Sequence, residues 1–135
     1  MKQIILISCS SKKLNIKSRA EDLYSSTLFK KSLKYAKHLN PDNIYILSAL
    51  HGLVDLKQEI EPYDITLKNL PYIKRVEWGK NVLEMIKKIA DIDKDLFVFL
   101  AGQEYINPLC ESIKNLESPL QGLRIGERIK LLNKI

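Results

Sequence analysis

The chain has 135 residues, 45% of them hydrophobic, a formal net charge of +6 and two cysteines. That length and composition support one domain, spanning 1–135, with its own core, and argue against a disordered chain. No apolar run approaches the roughly 20 residues of a membrane span, and no signal-peptide pattern opens the chain.

Residues 3–8, apolar from Ile4 to Ile7, predict a first buried strand, and a polar loop follows from Cys9 to about Ala20. Helical spacing of Leu28, Phe29, Ser32, Tyr35, Ala36 and Leu39 predicts a helix from near Ser26 to Leu39, with Lys30, Lys31, Lys34 and Lys37 on its other face. Ser26 or Thr27 supplies an N-cap, and Asn40-Pro41-Asp42 ends the helix. A second strand is expected over 43–48. From Gly52 to Leu70 no period holds, so a long ordered loop is expected, anchored by Tyr63, Ile65 and Leu67 and lying over a site.

Pro71 opens a helix to about Ala90, with Val76, Gly79, Val82, Leu83, Ile86, Ile89 and Ala90 inward. A third strand covers 95–100. A helix from near Tyr105 to Leu116 has Pro108 in its first turn and Cys110 on a core-facing side. Residues 117–124 have room for a short extra strand, and a last helix spans about 126–133. Strand–helix–strand order with right-handed crossovers predicts an α/β three-layer sandwich with a mostly parallel central sheet.

Each predicted strand runs into a polar cluster. These are Cys9-Ser10-Ser11-Lys12-Lys13, Ser48-Ala49-Leu50-His51-Gly52 and Ala101-Gly102-Gln103-Glu104-Tyr105. Open α/β sheets bind ligands beyond the carboxyl ends of their strands, so the three clusters are expected to converge. Cys9 to Lys13 offers small residues and two cations to an anion, but lacks the glycines and GK[ST] ending of a P-loop. Phosphate or base contact is the favoured reading, with a polar surface turn the alternative.

His51 is a candidate general acid, base or hydrogen-bond donor; a strand-end cap is the alternative. Asp64, after Pro62-Tyr63, suits activation of water or support of a sugar cation, or else bonds its own turn. Tyr24, Tyr63 and Tyr105 are candidates for stacking on a base, with Tyr63 and Tyr105 favoured, against a core role with a tethered hydroxyl. Gly102 permits close backbone approach. Gly122 and Gly126 bracket Arg124 near a helix start, which makes Arg124 and Arg128 secondary candidates for phosphate contact, with packing glycines the equal alternative. His38 beside Lys37 fits a favourable charge at a helix C-terminus.

The positive charge is concentrated. Residues 1–40 hold nine Lys/Arg against Glu21 and Asp22, and the remainder is nearly neutral. A basic face is a footprint of polyanion binding, or simply a solvated lysine face. Cys9 and Cys110 make neither a CxxC pair nor a zinc pattern, so a cytoplasmic protein with free thiols, no metal and no cofactor is expected.

The ordered set Cys9-Ser10, Leu23-Tyr24, Leu28-Phe29-Lys30, Leu47-Ser48-Ala49, His51-Gly52-Leu53, Pro62-Tyr63-Asp64, Ala101-Gly102, Tyr105 and Pro119-Leu120-Gln121-Gly122-Leu123-Arg124-Ile125-Gly126 covers nearly the whole chain. It resembles a small bacterial and phage family of unknown function. One departure is Leu50, where a Lys often precedes the His. That family is distantly similar to the YaaA peroxide-stress proteins and to a uracil-DNA-glycosylase-like domain of archaeosine-synthesis enzymes. The resemblance implies a nucleic-acid or nucleobase role on an α/β fold of the uracil-DNA-glycosylase kind.

Three functions follow as expectations. In a metal-independent nucleobase N-glycosidase or base-exchange enzyme, His51 supports the leaving base, Asp64 the sugar cation or water, and Cys9 to Lys13 the phosphate. A non-catalytic nucleic-acid- or nucleotide-binding domain would use the same clusters only to grip. A thiol enzyme would take Cys9 as nucleophile, His51 as base and Asp64 as orienting group.

Overall fold

The computed structural model describes residues 1–134 of the chain. Its first half runs β1 (Gln3–Ser8), β2 (Ser18–Arg19), α1 (Ala20–Leu23), α2 (Thr27–His38), β3 (Asn43–Ser48), β4 (Gly52–Asp55) and β5 (Glu59–Ile60). The second half runs α3 (Tyr72–Lys87), β6 (Leu96–Leu100), α4 (Gln103–Ile106), β7 (Leu116–Glu117) and α5 (Ile125–Leu132), with 3-10 turns at Leu67–Asn69 and Cys110–Ser112.

The main sheet has five strands in the order β4-β3-β1-β6-β7, and only β4 runs antiparallel to its neighbour. β1 lies at its centre because its four apolar residues serve both faces. Ile4 and Leu6 join Leu47, Phe97 and Phe99 under Trp78, Val82 and Ile86 of α3 and Tyr105 and Ile106 of α4. Ile5 and Ile7 join Ile46, Val98 and Leu100 under Phe29 and Ala36 of α2, Leu23 of α1 and Leu132 of α5. The period-2 alternation of a strand therefore feeds two cores, and the layers are helix, sheet, helix.

From β1 the chain crosses through α2 to β3, then returns through α3 on the opposite face to β6, on the other side of β1. The connection order reverses between β1 and β6. In open α/β sheets that switch point opens a crevice at the carboxyl ends of the strands.

Helix α2 starts as its sequence predicts: the Ser26 hydroxyl accepts the Phe29 N–H at 3.1 Å. Three expectations are corrected. The 52–70 stretch is not a featureless loop, because Gly52, at φ +77°, turns the chain back into β4, pairing Ser48 with Gly52 through Tyr45 with Asp55. A four-residue strand is too short to show a period. β5 then pairs antiparallel with β2, another element absent from the sequence reading.

The helix expected from Tyr105 to Leu116 is broken. α4 ends at Ile106, and Pro108 cannot donate the N–H that would continue it. Pro108 packs against Gly79 instead: a Cβ on Gly79 would stand 2.6 Å from Pro108 Cβ. Cys110 therefore sits half-buried in a 3-10 turn rather than on a long helix face. Finally, α3 ends at Lys87, short of Ala90, and buries Trp78, which the inward set omitted. No helix among the described residues is long and apolar enough to cross a membrane.

Candidate functional site

The ends of β1, β3 and β6 are bound together at the carboxyl edge. Cys9 N–H donates to Leu47 O at 3.0 Å, carrying parallel pairing one residue past β1. The loop after it is held in place by antiparallel contacts to the Tyr24 segment: Leu14 N–H donates to Leu23 O (2.8 Å), and Ser25 N–H to Lys12 O (2.9 Å). Ser10 Oγ also donates to Lys12 O, at 3.0 Å. Lys12 itself points its side chain to solvent.

Under this loop three hydroxyls form a chain. Ser48 Oγ lies 2.7 Å from Tyr63 Oη, which lies 2.6 Å from Tyr24 Oη. Ser48 Oγ also accepts the His51 N–H at 3.0 Å, and Ser48 O accepts the Trp78 indole N–H at 2.9 Å. Burial pushes the Tyr24 hydroxyl up to about 12, with the Tyr63 hydrogen bond pulling the other way. Burial, and next the neighbouring Cys9, push Tyr63 up as well. Both phenols are therefore neutral hydrogen-bonding groups near pH 7.

A third phenol meets the thiol directly: Cys9 Sγ lies 3.1 Å from Tyr105 Oη. Burial likewise raises Tyr105. Lys13 Nζ stands 4.5 Å from the Tyr63 ring centroid, a cation–π distance. Partial burial lowers the Lys13 ammonium, while Cys9 and Asp64 nearby oppose that shift. His51 sets its ring edge-on to Tyr63 at 5.5 Å.

Three hollows follow this edge. A small cavity of about 50 Å³ lies at the β1/β6 switch point, lined by Cys9, Ser10, Ser26, Ser32, Gly102 and Arg128 among others. A second, containing Cys9, Ser11, Lys68, Glu104 and Tyr105, adjoins it at Cys9. A third, shallow one is formed by Ser11, Lys13, Tyr63 and Asp64 with Leu14, Asn15 and Pro62, and adjoins the second at Ser11.

The structure thus brings Cys9, Ser10, Ser11, Lys13, Tyr63, Asp64, Gly102 and Tyr105 to this edge, with His51 beside Tyr63. Several expected roles change. Ser48 is fully buried, and its polar atoms are taken by Tyr63, His51 and Trp78, so it braces the site instead of contacting a ligand. Tyr24 and Tyr105 are 1% and 4% exposed, which leaves neither ring a face for a base. Gly102 offers no open backbone on its side-chain face: the Glu104 carboxylate lies 2.6 Å from where a Cβ would stand.

Arg124 is exposed at the start of α5, and its N–H donates to Glu127 Oε1 at 3.1 Å, so the chain's own carboxylate takes that helix end. Arg128, one turn on, is the arginine that reaches the cavity. No hydrogen bond among the described residues joins His51 to Cys9 or to Asp64; the Cys9 thiol meets Tyr105 instead. The sequence reading passed over Ser32 as a member of an apolar face. A hydroxyl on that face was the signal available.

Fold and edge together define a small α/β protein with a polar crevice at the carboxyl end of a mostly parallel sheet. A family of unknown function (DUF6884) matches residues 4–134, and the chain belongs to that family. No curated protein matches the chain.

Proposed function

We propose that the protein binds nucleotides or nucleic acid along this edge and cleaves or exchanges an N-glycosidic bond there, on a sheet of the uracil-DNA-glycosylase kind. The observation that carries the reading is the grouping of Lys13, Tyr63 and Asp64 on one rim, with the His51 ring edge-on to Tyr63. Lys13 supplies positive charge and Tyr63 a rigid, tethered aromatic wall. In hydrolysis the C–N bond to the base breaks and a C–O bond to water forms. Asp64 is assigned to the water and the developing sugar cation, and His51 to the proton that leaves with the base.

A binding module without turnover is the second reading. It is favoured by the exposure of His51 and Asp64, since no hydrogen bond among the described residues orients either side chain as an acid–base group. A general acid is normally held in place by a partner.

The deciding experiment is release of free base from DNA, RNA and nucleotides by wild type, His51→Ala and Asp64→Asn. Both side chains are exposed, so the fold is expected to survive each change. Loss of about 10²–10⁴-fold in turnover for each is expected of positioned acid–base groups. Tight binding with no release assigns the edge to binding alone. Turnover unchanged by both substitutions overturns these roles.

A further inference from the structure

We infer that the cavity at the β1/β6 switch point is a subsite for a terminal phosphate, so that the ligand of this edge is a phosphomonoester. The identity of the rest of the ligand rests on the nucleotide reading above; the subsite rests on its own residues.

Three separate elements, α2, α5 and the loop after β1, supply donors, and no acidic residue lines the cavity. Helix α2, twelve residues long, opens onto the cavity through Ser26 and Leu28 and has no acidic residue in its first turn. Its Phe29 N–H is satisfied by Ser26 Oγ and its Lys30 N–H by Ser26 O, while the N–H groups of Thr27 and Leu28 have no backbone or side-chain acceptor among the described residues. The positive end of the helix dipole and these free donors favour an anion.

Ser32, one turn further along α2, is the observation that turns a helix end into a site. It is 2% exposed, lines the cavity, and its hydroxyl makes no hydrogen bond among the described residues. Placed in the cavity wall with no protein partner, this hydroxyl is available to a ligand oxygen.

Arg128 approaches from α5. Its Nε–H donates to Leu123 O at 2.9 Å, which fixes the guanidinium and leaves its terminal amino groups without a carboxylate partner among the described residues. Such a fork suits two oxygens of one phosphate. Ser10, from the loop after β1, completes the lining.

Size selects the form of the phosphate. With about 50 Å³ of free space, the cavity holds one small tetrahedral group. A water needs roughly 10–15 Å³ on the same measure, so the space matches a group of a few oxygens. An internal phosphodiester would have to carry a substituent out of both sides. A monoester needs only one, and Cys9, which lines both this cavity and the adjoining hollow, gives that substituent a path.

The test is calorimetric titration of the full chain with inorganic phosphate, a nucleoside 5′-monophosphate, the matching nucleoside, and an oligonucleotide lacking terminal phosphates. Wild type is compared with Ser32→Ala and Arg128→Gln, each checked by thermal unfolding. Ser32→Ala removes one oxygen and keeps the fold, so it remains informative even where Arg128→Gln loosens α5.

The expected result is monophosphate binding at least about tenfold tighter than nucleoside, weakened about tenfold or more by each substitution, as loss of a hydrogen bond to a charged group implies. Inorganic phosphate should compete. Phosphate binding that depends on Ser32 and Arg128 but gains nothing from a nucleoside supports the subsite and removes the nucleotide reading. Oligonucleotide binding indifferent to both substitutions, with no monophosphate preference, keeps the nucleic-acid reading and overturns the subsite. Absence of any phosphate or monophosphate binding overturns it as well.

Discussion

Ser48 and Tyr63 share a 2.7 Å hydrogen bond between their hydroxyls, which fastens the loop carrying Asp64 to the end of β3. Because Tyr63 Oη also meets Tyr24 Oη at 2.6 Å, a single phenol joins the β3 end, the segment before α2 and the rim of the site.

Tyr63→Phe is therefore expected to destabilise the protein, since it takes the only hydroxyl partner from Tyr24 and one of two Oγ partners from Ser48, residues 1% and 0% exposed. Leaving buried hydroxyls short of a partner costs about 1–3 kcal/mol. Urea unfolding measures it. An unchanged midpoint would show that the hydroxyl chain does not hold the loop.

Two glycines in helices should respond with opposite signs. A Cβ on Gly126 meets nothing within 4 Å, so Gly126→Ala in α5 should gain about 0.5–1 kcal/mol from the backbone alone. A Cβ on Gly79 would stand 2.6 Å from Pro108 Cβ and 2.8 Å from Pro108 O, so Gly79→Ala must separate α3 from the segment after α4. Overpacking of that kind costs typically about 1–3 kcal/mol. Thermal unfolding of the pair checks both; a stabilised Gly79→Ala would mean the contact yields freely.

The legibility of the chain divides along physical lines. β1, β3 and β6 were readable because strands buried on both faces are continuous apolar runs, and α2 because its lysines and its apolar face separate cleanly. β4, β2 and β5 were not, because pairs and quartets of residues take their strand geometry from a partner elsewhere in the chain. At the site, the order of clusters located the edge. Whether a polar residue faces a cavity or the core depends on tertiary partners, which is why the sequence does not show that Ser48 is tied up by Tyr63, His51 and Trp78 or that Ser32 lines a cavity.

Asp95 provides a pH signature. Its Oδ1 accepts the Lys2 N–H and its Oδ2 the Asp91 N–H, both at 2.8 Å, tying the start of β6 to that of β1. These bonds, that from Asp91 foremost, hold the carboxyl below its ordinary range. In the unfolded chain it titrates near its reference value of about 3.9. Below that value the unfolded state binds more protons, so the stability Asp95 contributes is complete above it and is lost as pH falls through the lower folded value. Asp95→Asn should unfold more easily at pH 7 and lose less stability than wild type between neutral and strongly acidic pH. Parallel acid limbs for the two proteins would contradict this.

The lysine face of α2 makes a separate prediction about polyanions. Lys37 pairs with Glu21 at 3.3 Å and Lys31 Nζ donates to Asn133 at 2.7 Å, whereas Lys30 and Lys34 are exposed with no ion pair among the described residues. Four residues apart, they share one face of the helix. If duplex DNA or RNA lies against this face, the Lys30→Glu, Lys34→Glu double variant should bind more weakly. Its plot of log affinity against log salt should flatten by about two units, since each neutralised phosphate contributes roughly 0.9 on duplex DNA. Lys88→Glu, at the end of α3 on the opposite layer, changes one charge away from that face and serves as the control. Equal slopes in the double variant and the wild type would assign the lysines to solubility. A loss matched by Lys88→Glu would show only that net charge matters. A loss confined to the double variant places the nucleic acid along α2, whose first turn opens onto the cavity lined by Ser32 and Arg128.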